Sequence, residues 1–122
     1  MSWTYRQSTG QLLDPSGTTI ADGYSGSGIG KNNPDMQNVP DVGPIPRGVY
    51  SIGNPHNTET HGPFVMSLTP STNNEMYSRA GFLIHGDSLL HLGTASQGCI
   101  ILSLKIRQAI WQSQDQELIV VT

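Results

Sequence analysis

Apolar residues along this chain gather in short runs, each closed by glycine, proline or small polar residues, a spacing that predicts strands and turns rather than long helices. Trp3 to Arg6 and Leu12-Leu13 flank the turn-like Ser8-Thr9-Gly10, which predicts an opening hairpin. Asp14-Pro15-Ser16-Gly17 reads as a second turn and Thr18 to Ala21 as a short strand. The stretch from Gly23 to Asn38, rich in Gly, Ser and Asn, is expected to be a long functional loop. Two prolines and two glycines in Gly43-Pro44-Ile45-Pro46-Arg47-Gly48 fix a bend that feeds a strand with Val49 and Ile52 as its apolar positions. Phe64 to Leu68 is the next strand, closed by Thr69-Pro70, and Gly81 to Ile84 is a buried one after the polar loop 71–74. Ile100 to Leu102 predicts a buried strand end. Ser103 is placed to cap a short helix through about Gln112, with Leu104, Ile106, Ile110 and Trp111 toward the core. Leu118 to Val121 reads as a terminal strand. The expected fold is mainly β with one short C-terminal helix, in a single domain over residues 1–122.

Composition supports that reading. Charged residues make up only 12% of the chain, beside 14 glycines and 8 prolines, which favours short strands over long solvated helices. The net charge is −3 and the basic residues are scattered, so neither nucleic acid nor a membrane surface is an expected partner. A single cysteine excludes an internal disulfide. Met1 to Arg6 lacks the basic and apolar regions of a signal peptide, and no run is long enough to span a bilayer. The expectation is a protein made in the cytoplasm without a signal peptide. Gly26-Ser27-Gly28-Ile29-Gly30-Lys31 invites a phosphate-loop reading, but Ser25 stands where the first glycine is needed and Asn32 where Ser or Thr is needed.

The candidate chemistry lies in the run from His85-Gly86 to Ser96-Gln97-Gly98-Cys99. A thiol is a poor nucleophile until it loses its proton, and an adjacent imidazole is a common activator. Cys99 follows polar and small residues that a packed core strand would not carry, and Gly98 leaves room for a substrate carbonyl. The amides of Gly98 and Cys99 are candidates to stabilise an oxyanion. His85 ends an apolar run, which suits an imidazole held at a cleft wall; the Gly86 carbonyl can orient it, with Asp87 as a second candidate. The reading requires the sulfur within hydrogen-bonding reach of the His85 ring, directly or after a small rearrangement, at an accessible groove. Arg79 and Tyr77 are candidates for binding a substrate carboxylate, and Ser96, Gln97 and His91 for lining the cleft; His56 and His61 are expected in solvent. A zinc site from His85, His91 and Cys99 lacks a standard ligand spacing, and no metal or organic cofactor is expected.

His85-Gly86 with Ser96-Gln97-Gly98-Cys99-Ile100 resembles the signature of the L,D-transpeptidases of the YkuD type, and the Pro46 to Tyr50 segment is similar to that family's Pro-x-Gly-x-Tyr stretch. The short length and the Gly23 to Gly28 segment look most like the small L,D-transpeptidase-like toxins delivered by type VI secretion. Two positions depart from the pattern. Gln97 replaces the motif's second histidine, leaving His85 as its base, and Ile101 replaces the usual Arg or Asn. The resemblance implies a compact β-sandwich or barrel. It also implies a cysteine enzyme acting on peptidoglycan tetrapeptide stems through a thioacyl intermediate, as L,D-carboxypeptidase or L,D-transpeptidase with D-amino acid exchange. The implied partners are the stem peptides, an immunity protein and a secretion component, and the implied place of action is the periplasm of target bacteria. NlpC-type peptidases place cysteine before histidine. Sortases use an arginine after the cysteine, but Arg107 falls in the expected helix. The rival of a different class is a non-catalytic binding or spike-associated module of the same fold.

Overall fold

Strand alternation builds the core. In the computed structural model, which describes residues 1–122, β1 (Ser2–Arg6) turns Trp3 and Tyr5 inward, and β2 (Gln11–Leu13) turns in Leu12. The Gly10 amide donates to the Arg6 carbonyl at 2.9 Å, closing the predicted opening hairpin. β3 (Thr19–Asp22) and the short β4 (Tyr24–Ser25) follow, and β4 lies inside the stretch expected to be loop. Two 3-10 turns, at Gly28–Gly30 and Pro34–Met36, occupy much of the rest of that stretch.

β5 (Gly48–Ile52) buries Tyr50 and Ile52 and leaves Val49 38% exposed, so the inward position is Tyr50 rather than the expected Val49. The Tyr50 hydroxyl anchors that choice by donating to the Pro46 carbonyl at 2.6 Å. β6 (His56–Thr58) and β7 (Gly62–Pro70) form a hairpin, and β8 (Leu83–His85) and β9 (Ile100–Ile101) pair in parallel. The α-helix α1 (Leu104–Ser113) starts where Ser103 caps it, accepting the Ile106 amide at 3.4 Å, as the sequence predicts. Its buried side chains are Ile110 and Arg107, whereas Leu104, expected in the core, is 42% exposed. β10 (Glu117–Val121) ends the chain, with Leu118 and Val120 buried.

The strands join in the order β3-β2-β1-β10-β5-β7-β8-β9-β4, with β6 on β7. The two ends of this path, β3 and β4, are separated in sequence only by Gly23. The sheet therefore rolls back on itself, giving the expected mainly β, barrel-like body. At the seam the Gly23 amide donates to the Gly10 carbonyl at 2.7 Å. A Cβ on Gly10 would lie 2.0 Å from the Gly23 carbonyl oxygen, and one on Gly23 would lie 2.2 Å from that of Ile101. Only glycine lets the backbones approach so closely. The roll encloses one apolar cluster that includes Trp3, Tyr5, Tyr50, Met66, Ile84 and Ile100.

Candidate active site

The parallel pairing of β8 with β9 sets the site. His85 is in register with Ile101, and Cys99 lies two residues before Ile101 on the same strand line. Side chains alternate faces, so His85 and Cys99 share one face of the sheet as diagonal neighbours. Both line a single open groove, together with Gly86, His61 and Arg107.

His85 is 3% exposed, and its Nδ1 sits 2.8 Å from the Gly86 carbonyl oxygen. That oxygen can only accept, so Nδ1 carries the proton and Nε2 presents its lone pair. Nε2 is buried and has no hydrogen-bond partner. Burial pushes the ring's pKa below the ordinary histidine value; the Gly86 bond pulls the other way, and the His61 and Arg107 charges add to the lowering. Cys99 is partly exposed, and burial raises its thiol pKa, with the Leu83 backbone and the Arg79 charge offsetting part of the rise. At neutral pH the pair is therefore a thiol and a neutral imidazole. Sulfur and Nε2 share the groove but do not hydrogen-bond in this resting arrangement.

The turn that delivers Cys99 is tied by Ser96, whose buried hydroxyl accepts the amides of Gly26 at 2.9 Å and Gly98 at 3.1 Å and donates to the Cys99 carbonyl at 2.6 Å. Two expectations are corrected by this knot. Ser96 holds backbone and presents no group to a ligand, and the Gly98 amide is engaged, which leaves the Cys99 amide as the one amide of the expected pair without an acceptor. Gly98 itself has φ +139°, and a Cβ there would stand 2.6 Å from the Arg79 Nη2 and 2.9 Å from a Phe82 ring carbon. Both the backbone conformation and the space call for glycine.

Arg79 is buried, and its two Nη atoms donate to the carbonyls of Gln37, Pro44, Gly43 and Gln97 at 2.6 to 3.3 Å. It fastens the 37–44 loop to the Cys99 turn, so its expected role on a substrate carboxylate gives way to a structural one. Tyr77 faces a separate shallow depression beside Arg47 and Gln37, away from Cys99. His91 is exposed and lies outside the groove lining, while Gln97 is exposed on the groove beside the cysteine. Asp87 does not orient His85; it accepts from the Tyr24 hydroxyl at 2.5 Å and from the amides of Ser88 and Gly93. Those bonds, with the Ala95 amide donating to the Tyr24 hydroxyl at 2.9 Å, hold the base of the 87–95 loop. No group of three or more His, Cys, Asp or Glu side chains converges on a metal position.

Two groove residues have no local sequence signal. His61 is exposed, as expected, yet it comes from the β6–β7 hairpin tip to lie against His85, with ring centroids 4.5 Å apart and planes tilted by 51°. Arg107 reaches the groove from the first half of α1, beside Gly86. Neither spacing nor composition links them to the cysteine motif.

A protein-family model described as the Tlde1 domain matches residues 19–121, which include every groove residue named above. Comparison with curated proteins and with solved structures yields no match.

Proposed function

The chain belongs to the Tlde1 domain family, a family of type VI secretion effectors, and from that membership we propose that it is a cell-wall toxin that cleaves peptidoglycan tetrapeptide stems through a Cys99 thioacyl intermediate. One observation carries the reading: a buried, unpartnered Nε2 on a histidine whose other nitrogen is pinned, diagonal to the only cysteine in one open groove. An orphaned buried acceptor is costly unless something comes to meet it. Here the arriving group is the thiol proton.

The reaction follows from the protonation states. Substrate entering the groove displaces water, and a side-chain rotation brings the Cys99 thiol to Nε2, which takes its proton as sulfur attacks the carbonyl of the link before the terminal D-alanine. The Cys99 amide stabilises the oxyanion, a contribution typically worth ~3 kcal/mol per donor. The tetrahedral adduct collapses, the C–N bond breaks, and the His85 imidazolium returns the proton to the departing amine. Water then attacks the thioester, giving the shortened stem and the free thiol, which is L,D-carboxypeptidase action. An amine in place of water gives D-amino acid exchange or a cross-link. Loss of tetrapeptide donors would weaken the wall, which accounts for toxicity. Action in the target periplasm, a cognate immunity protein and a secretion component belong to the same proposal. No helix is long and apolar enough to cross a membrane.

The second reading, a non-catalytic module, draws on the raised thiol pKa and on Ile101 in place of the usual polar residue. Incubation with disaccharide-tetrapeptide, followed by mass spectrometry, separates the two. Wild type should release D-alanine, and Cys99→Ala and His85→Ala should not. No release and no thioacyl adduct from wild type would favour the module.

A further inference from the structure

Arg107 is 5% exposed, a buried cation on the wall of the groove. Its Nε donates to the carbonyls of Leu102 at 3.1 Å and Ser103 at 3.4 Å, and its Nη1 to those of Pro63 at 2.7 Å and Phe64 at 3.0 Å. Every one of these partners is a neutral carbonyl. The ion pair between the Met1 amino group and Asp115 is the only one in the molecule, so the Arg107 charge has no carboxylate against it. Buried charges are normally paired.

The remaining nitrogen, Nη2, donates to no protein acceptor and is not among the sealed, unpartnered atoms, so it opens on the groove. Arg79 offers an internal comparison: as a purely structural guanidinium it has both Nη atoms engaged by carbonyls. Gly86 adds an independent observation. A Cβ at that position would stand 2.8 Å from the Arg107 Nη2, although the Gly86 backbone is outside the left-handed region. Conformation does not demand glycine here; the close approach of the Arg107 guanidinium, which a methyl group would push aside, does.

We propose that Arg107 Nη2 is a carboxylate subsite, binding the free α-carboxylate of the D-amino acid that leaves the acyl donor, or that enters in exchange. The assignment rests on the cysteine reaction proposed above. In that reaction the departing nitrogen is at His85, and the carboxylate lies one Cα beyond it. Nη2 lies against Gly86, the residue that follows His85, in the same groove. A charge-assisted bond to a planar guanidinium suits a carboxylate and discriminates against a neutral amide.

The test compares disaccharide-tetrapeptide ending in D-alanine with the same compound ending in D-alaninamide, measured as kcat/KM. Wild type should prefer the acid roughly ten- to hundredfold. Arg107→Lys should shrink that preference and Arg107→Gln should erase it, each read as the acid-to-amide ratio within the variant. Should the variants fail to fold, the wild-type ratio decides alone. Equal kcat/KM for acid and amide overturns the subsite and leaves the cysteine reaction standing. If wild type turns over neither compound, the cysteine reading has failed, and NMR titration with D-alanine and D-alaninamide tests the subsite by itself. Shifts around Arg107 and Gly86 with the acid only would support it; identical or absent shifts would overturn it.

Discussion

Replacing Ser96 with alanine removes one oxygen and loosens three backbone groups at once. That hydroxyl accepts the Gly26 and Gly98 amides at 2.9 and 3.1 Å and donates to the Cys99 carbonyl at 2.6 Å, with the side chain buried. Each bond contributes about 1 kcal/mol net, and each buried group left unpaired costs about 1–3 kcal/mol. Partial rehydration through the adjacent groove lowers the sum, so we expect a loss of roughly 2–4 kcal/mol. For a domain of this length that is a fall in Tm of roughly 10–15 °C. Thermal unfolding followed by circular dichroism measures it directly. At a temperature well below both midpoints, D-alanine release should fall at least tenfold, because the freed Gly98 amide and Cys99 carbonyl no longer hold the sulfur and its amide in place. A Tm within about 3 °C of wild type, with unchanged turnover, would refute the idea that this hydroxyl holds the nucleophile turn.

Three further outcomes follow from the site. Because burial depresses the His85 pKa and raises that of the Cys99 thiol, kcat/KM should stay high below the ordinary histidine value of about 6.5 and fall in alkali only above the usual thiol range. The linked stability has a definite sign: His85 is depressed in the folded state, so its contribution is whole above pH ~6.5 and is lost as pH falls through that value toward the folded one. Urea unfolding from pH 8 to pH 5 checks it, and a contribution that His85→Gln leaves unaltered would count against the assignment. Tyr24→Phe removes the 2.5 Å bond to Asp87 and the acceptor of the Ala95 amide at the groove edge. We expect a stability change of about 1 kcal/mol, with faster hydrogen exchange across 88–95 and a several-fold drop in kcat/KM; unchanged exchange would show that this bond does not hold the loop.

The sequence by itself determined the parts that depend on neighbours along the chain. The opening hairpin, the Ser103 cap and the terminal strand are local decisions of turn chemistry and alternation, and each stands where it was expected. The His85–Cys99 motif was equally legible, because a thiol on a small-residue turn and a histidine ending an apolar run are local patterns. Tertiary structure decided what depends on contact between distant segments. Val49 and Tyr50 are both acceptable inward residues by alternation, and the Tyr50 bond to Pro46 with the Leu118 partnership chose Tyr50. β4 exists because β9 pairs with it across the rolled sheet, which no spacing within residues 23–38 announces. Arg79, expected on a substrate carboxylate, and Arg107, placed only in the expected helix, are both buried by folding, which saturates the first guanidinium with carbonyls and leaves one nitrogen of the second facing the groove. His61 reached His85 only because a hairpin tip folds onto the end of β8. Hydrogen-bond satisfaction and the approach of remote backbones are properties of the assembled chain, and a linear pattern does not contain them.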